Sequence, residues 1–118
     1  MRISEAASTS GLSIDTIRYY EKTALLPPVK RGADGKRRFS PGDVDWLVLL
    51  SSLRDTGMRM ETMRYFALLY QRGDETIPER KRILLGHSEQ LDKQRKGLDR
   101  CAEILARKLK RYDEIAAS

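Results

Sequence analysis

Six apolar residues, Ile77, Leu84, Leu91, Leu98, Leu105 and Tyr112, recur at a fixed interval of seven, and after Pro78 no proline interrupts them. A seven-residue repeat sustained this long admits little but a long helix with one apolar seam, the pattern of a coiled coil. The next positions around the helix are poorer: His87, Gln94, Cys101 and Lys108 follow one line, Ser88, Arg95, Ala102 and Leu109 another. A helix this polar is not stable alone, so its seam needs a partner. It can fold back on its own chain or meet a second copy. The remaining sequence has little apolar surface to spare, which favours the second copy. The spacing therefore predicts a helix over 76–115 whose dimer interface contains Leu84, Leu91, Leu98, Cys101, Leu105 and Tyr112. Thr76-Ile-Pro-Glu79 reads as its capping box, with proline in the first turn.

The chain ahead of this helix, 1–73, has a different grammar. Ser4 is a candidate cap for a first short helix, and Gly11 is the kind of residue that ends one. Ser13 is placed to cap a second. Ile3, Ala6, Ala7 and Leu12 supply apolar surface against Ile17 and Tyr20 of that second helix. Thr16, Arg18 and Tyr19 fall on its opposite face. Two short helices joined by a tight glycine-containing turn make a helix-turn-helix. A hydroxyl, a guanidinium and a phenol on the outer face are groups that reach base edges and phosphates in a DNA groove.

Pro27-Pro28 forbids continuation of the second helix. Between Lys30 and Arg38 five cations (Lys30, Arg31, Lys36, Arg37, Arg38) accompany one acid, Asp34. Asp34-Gly35 signals a turn, so this segment reads as a short β-hairpin with basic arms, a wing beside the helix-turn-helix. Ser40-Pro-Gly-Asp43 then opens a third helix with a capping box. Val44, Leu47, Val48, Leu50 and Ser51 give that helix a broad buried stripe, with Trp46, Leu49 and Leu53 beside it. Gly57 ends it. A fourth helix, about Glu61 to Tyr70, offers Met63, Phe66, Ala67 and Tyr70 to the core. The turn between them, Arg54 to Arg59, is a candidate second wing, and Gly73 closes this part.

The formal charge of +6 suits an anionic partner, though charge alone is weak evidence. With one cysteine and one histidine the chain has neither a disulfide framework nor a zinc cluster. No P-loop and no catalytic acid pair are present, so no enzyme, metal or cofactor is expected. The N-terminus lacks a signal-peptide core and no run approaches membrane-spanning length, which points to a cytoplasmic, nucleoid-associated protein without a membrane partner.

Thr16-Ile-Arg-Tyr-Tyr-Glu21, Ala24-Leu-Leu-Pro27, Gly35-Lys-Arg-Arg-Phe-Ser40 with Asp43-Val44, and Leu53-Arg-Asp-Thr-Gly-Met58 together resemble the MerR family of bacterial transcriptional regulators. The resemblance spans about residues 1–70, and the long helix extends it. It implies a mainly α fold: a winged helix-turn-helix DNA-binding domain, then a helix forming an antiparallel coiled coil in a homodimer. It also implies a palindromic operator in double-stranded promoter DNA with an overlong spacer. The dimer would bend and untwist that DNA for RNA polymerase. On these positions Arg18 and Tyr19 would face the major groove, and Lys36, Arg37 and Arg38 would clamp phosphates. Ser4, Ser13 and Thr16 would bond backbone or bases.

Departures from the family pattern narrow the reading. The metal-sensing branch has cysteines at the start and beyond the end of the long helix, and this chain has none there. A thiol- or aldehyde-responsive branch often carries cysteine just before Leu-Arg-Asp-Thr-Gly, where Ser52 stands. Arg59 replaces the Ser or Pro cap usual before the fourth helix. The chain ends at Ser118, as in small members without a C-terminal ligand domain. An architectural or excisionase-like DNA-bending protein, or a coiled-coil interaction module, are the alternative readings.

Overall fold

Local capping rules set several of the helix boundaries. In the computed structural model, which describes residues 1–118, the chain forms α1 (Ile3–Ser10), α2 (Ile14–Lys22), α3 (Pro41–Asp55), α4 (Met60–Gln71), a 3₁₀ turn (Asp74–Thr76) and α5 (Ile77–Ala117). Gly11 takes a left-handed φ of 77° and its N–H donates to the Ala7 carbonyl, which ends α1. Ser13 Oγ accepts the Thr16 N–H at 3.0 Å at the start of α2. At α3 the capping box is complete: Asp43 N–H donates to Ser40 Oγ at 3.1 Å and Ser40 N–H to Asp43 Oδ2 at 2.8 Å.

Two expected caps are not made. Ser4 lies inside α1, because the helix starts earlier, with Arg2 in the capping position and no side-chain cap. The cause is a distant pairing. Met1 donates its amino group to the Phe39 carbonyl at 3.0 Å and accepts the Phe39 N–H at 2.7 Å, which fixes where the helix begins. Thr76 does not cap α5 either. Its hydroxyl lies 2.7 Å from the Leu69 carbonyl and 2.8 Å from that of Gly73, and Glu79 pairs with Arg82. The hydroxyl thus serves the end of α4, whose last carbonyls lack helical partners.

The core sits among α1 to α4. Ala6, Ile17, Tyr20, Leu25, Leu26, Phe39, Leu47, Leu50, Met63 and Phe66 are buried. Trp46 stacks on Phe66 with centroids 5.4 Å apart, and its indole N–H donates to the Leu25 carbonyl at 2.7 Å. The Tyr20 phenol receives a bond from Arg54 at 3.4 Å, so this buried hydroxyl has a partner. Val48 and Tyr70, expected inside, are exposed. The α3 stripe narrows to Val44, Leu47 and Leu50 with Trp46 and Leu53, which leaves Val48 on the outer side. Tyr70 lies between Trp46, 4.5 Å away, and the Arg80 guanidinium, 5.3 Å from its ring, so it shields the tryptophan from outside.

Between α3 and α4 there is no second wing. Gly57, at φ 98°, donates to the Arg54 carbonyl and Met58 to that of Leu53, a tight helix-ending turn with no extended arms. After α2 the chain turns through Ala24, which holds a φ of 62° without being glycine. Its position is fixed by Leu25 N–H and Leu26 N–H, which both donate to the Tyr20 carbonyl. The chain divides into two compact units, Met1–Ile83 and Leu84–Ser118. No helix is long and apolar enough to cross a membrane.

Leu47→Ala should lower unfolding stability by about 2–5 kcal/mol, whereas Val48→Ala should change it by no more than about 0.5 kcal/mol. Urea denaturation at fixed protein concentration measures both. Ala24→Gly should relieve the left-handed cost, about 1–2 kcal/mol, against an added unfolded-state entropy of about 0.4–1 kcal/mol. A small rise in Tm is expected.

Candidate nucleic-acid interface

On α2 the helical period sorts the side chains cleanly. Ile17 and Tyr20 are fully buried, Ile14 and Thr16 are half-buried, and Ser13, Arg18 and Tyr19 face solvent. Tyr19 keeps 45% of its surface exposed. The Arg18 guanidinium is 3.8 Å from Asp15, one turn back, an exposed pair of small energetic weight. Ser13 and Thr16 hydroxyls lie 2.8 Å apart, so their capping role and their outward exposure coexist.

The basic hairpin contains one antiparallel bridge, Arg31 to Arg37, rather than extended strands. Gly32 N–H donates to the Lys36 carbonyl at 2.8 Å, Arg38 N–H to Lys30 at 2.7 Å and Gly35 N–H to Gly32 at 3.0 Å. The turn is therefore Gly32-Ala-Asp-Gly35, closed by Gly35 at φ 77°. That geometry, a turn followed by a left-handed glycine, joins short arms through a bulge. Asp34 Oδ1 accepts the Lys36 N–H at 3.0 Å, and Arg31 donates to the Gly35 carbonyl at 2.8 Å.

A cleft of about 370 Å³ lies where α1, α2 and the wing meet. Ser4, Arg18, Lys36 and Arg37, all singled out from the sequence, line it together with Arg2, Ile3, Arg31 and Gly35. Five of these side chains are cationic, which concentrates positive potential over a concave surface. Arg38 instead folds back toward Asp34, their atoms 3.4 Å apart. Ser13, Thr16 and Tyr19 lie outside the cleft lining. From the sequence Arg2 does not stand out, and Arg31 reads only as one of the wing's five cations; their convergence on one cleft is not visible there.

Arg37 has a stronger tie than a loose surface arginine. Its Nε sits 2.7 and 2.8 Å from the two Glu21 carboxylate oxygens, with 28% and 21% of the respective side chains exposed. The pair connects wing to recognition helix, so Arg37 positions the wing while it lines the cleft. The Asp34 carboxyl is held below its ordinary value, first by the Lys36 backbone N–H and then by the Arg38 and Arg2 cations. A depressed folded-state value means this charge supports the turn above the unfolded value, and the support fades as pH falls through the lower folded one.

Within the second unit, Leu84–Ser118, apolar residues are open to solvent in the single chain. Leu84 and Leu91 are half-buried, and Leu98, Leu105 and Tyr112 are exposed, Leu98 to 70%. Cys101 is a free, exposed thiol. Leu109 and Ile115 add to the same apolar side toward the C-terminal end. His87, which lies off the apolar seam, is the buried residue of α5.

A recognition helix with an outward guanidinium and phenol, beside a basic wing, defines a winged helix-turn-helix DNA-binding protein. Residues 1–66 match the model of the MerR HTH family of regulatory proteins. The chain is 37% identical over 113 residues to an uncharacterised HTH-type transcriptional regulator of Haemophilus influenzae, covering 96% of this chain and 84% of that protein. It is 35% identical over 91 residues to the HTH-type transcriptional regulator AdhR of Bacillus subtilis, covering 77% of this chain and 65% of AdhR. Among solved structures, HiNmlR, a MerR-family regulator lacking the sensor domain and bound to promoter DNA, superposes with a TM-score of 0.87. That match has 36% identity and covers 98% of this chain and 92% of HiNmlR. The chain belongs to the MerR family of transcriptional regulators.

A double-mutant cycle on Glu21→Ala and Arg37→Ala, read by thermal unfolding, should give a coupling of about 0.5–1 kcal/mol. Additive single effects would mean that the pair does not hold the wing.

Proposed function

We propose that two copies of this chain, joined through the α5 seam as an antiparallel coiled coil, bind a palindromic operator in double-stranded promoter DNA. Bending and untwisting that DNA then regulates its use by RNA polymerase. The observation that carries the reading is on α2: burial of Ile17 and Tyr20 turns Arg18 and Tyr19 outward beside the cationic cleft. A helix presented this way has the side chains to read base edges, while the wing cations meet phosphates.

In this reading Arg18 and Tyr19 specify sequence. Ser4 and Lys36 hold phosphates, with Arg38 contributing once it leaves Asp34. Ser13 and Thr16 keep α2 capped and offer their remaining hydrogen-bonding capacity to the backbone. Arg37 acts chiefly through Glu21. Leu84, Leu91, Leu98, Cys101, Leu105 and Tyr112 face the second copy, which covers the apolar surface that one chain leaves open. An interface of this kind sets the two recognition helices about 34 Å apart, in successive major grooves. DNA deformation of a few kcal/mol is then met by contacts on both flanks. The protein works in the cytoplasm, at the nucleoid.

The test is binding to an inverted repeat taken from the DNA upstream of the coding region, compared with a random duplex over a salt series. Strong discrimination is expected. Arg18→Ala should lose about 1–3 kcal/mol of that discrimination, and Lys36→Ala should weaken both duplexes similarly and flatten the salt slope by about one. Equal affinity for every duplex would favour an architectural DNA-bending protein. Leu105→Arg should shift the sedimenting species from dimer to monomer and weaken operator binding with it, since a lone cation in an apolar seam is poorly solvated.

A further inference from the structure

One carboxylate stands at the tip of a wing otherwise given to cations, and its two oxygens do different things. Asp34 Oδ1 accepts the Lys36 backbone N–H at 3.0 Å and shapes the turn. Asp34 Oδ2 lies 3.4 Å from Arg2 Nη2 and 3.4 Å from Arg38 Nη2. Arg38 reaches it by lying across Gly32, where a Cβ would come within 2.8 Å of Arg38 Nε. Glycine at 32 therefore leaves the path for this return. Arg2 is at the same time part of the cleft shared by Ser4, Arg18, Arg31 and Lys36.

A carboxylate and a phosphodiester present guanidinium groups with the same kind of charged oxygen acceptor. The three partners remain open to water, with side-chain exposures of 48% for Arg2, 43% for Arg38 and 39% for Asp34. Such pairs are weak and easily exchanged. The Arg37–Glu21 pair differs, being shorter and less exposed.

We propose that Asp34 is an internal phosphate surrogate: it occupies Arg2 and Arg38 in the free protein and cedes them to DNA backbone phosphates, which lowers affinity for duplexes of arbitrary sequence. The proposal rests on the duplex-binding reading above. Affinity for arbitrary duplexes comes almost wholly from cations that neutralise phosphates and release counterions. A guanidinium already facing a carboxylate must leave it before it adds to that term. Arg2, just ahead of α1, thereby becomes a DNA-contacting residue held in reserve by the wing.

Asp34→Asn separates the two roles, because asparagine keeps an oxygen for the Lys36 N–H and removes the charge. Binding of the full chain to a random-sequence duplex, followed by fluorescence anisotropy over a salt series, supplies the readout. Asp34→Asn should bind about two- to fivefold more tightly at low salt, with a salt slope steeper by about one to two. Arg2→Gln should then cost more affinity in the Asp34→Asn background than in the native one, which distinguishes release of Arg2 from a general gain of positive charge. Unchanged or weaker binding by Asp34→Asn, or equal Arg2→Gln effects in both backgrounds, would overturn the proposal. Failure of the native chain to bind any duplex would instead count against the functional reading.

Discussion

Tyr20 is the pivot on which the outward face of α2 turns. Its ring is fully buried, its phenol receives a bond from Arg54 of α3, and its carbonyl accepts both Leu25 and Leu26 N–H groups. With Ile17 buried one turn earlier, α2 has a single permitted rotation. A helix of nine residues has too little internal cooperativity to hold itself, so this docking is also what keeps it folded. Arg18 and Tyr19 face outward because their neighbours cannot. The chemistry that α2 presents on its outer face is therefore a consequence of core packing.

The wing shows how a hairpin with a single bridge is held in place. Main-chain bonds at its root tie Phe39 to Met1, an ion pair at its middle ties Arg37 to Glu21, and Asp34 organises its tip. Each tie binds the wing to a different part of the molecule or to itself. Positive charge is consequently distributed unequally in availability. The Lys36 ammonium projects without an ionic partner, Arg2, Arg18 and Arg38 hold weak exposed ones, and Arg37 is engaged at short range. Net charge, which treats these groups alike, misses that order.

The unit Leu84–Ser118 is governed by a different constraint. Its backbone bonds are satisfied within the helix, yet from Leu98 to Ile115 its large apolar side chains are exposed in a single copy. Burial of such a seam between two chains is the usual outcome of a sustained seven-residue repeat. In the proposed dimer, burial of these leucines and the spacing of the two recognition helices would depend on one seam.

Elements ruled by neighbours within four residues were legible from the residues alone. Ser13 and Ser40 cap their helices, Gly11 and Gly35 take left-handed turns, Pro27-Pro28 follows the end of α2, and the repeat from Ile77 marks α5. The family, too, was readable from motifs of this kind. What escaped depends on groups far apart in sequence: Met1 with Phe39, 38 residues on, moves the start of α1 away from Ser4, and Glu21 with Arg37, 16 residues on, sets the wing. Thr76 is diverted to the Leu69 and Gly73 carbonyls because the end of α4 folds against the start of α5 and leaves them without α-helical partners. Sequence by itself determined which segments are helical and, apart from residues such as Val48 and Tyr70, which faces are buried, since hydrogen-bond reach and side-chain period are local properties. Only the tertiary structure decided which cations converge on one cleft and which carboxylates they meet, because an ion pair depends on distance in space and the chain encodes that distance only after it has folded.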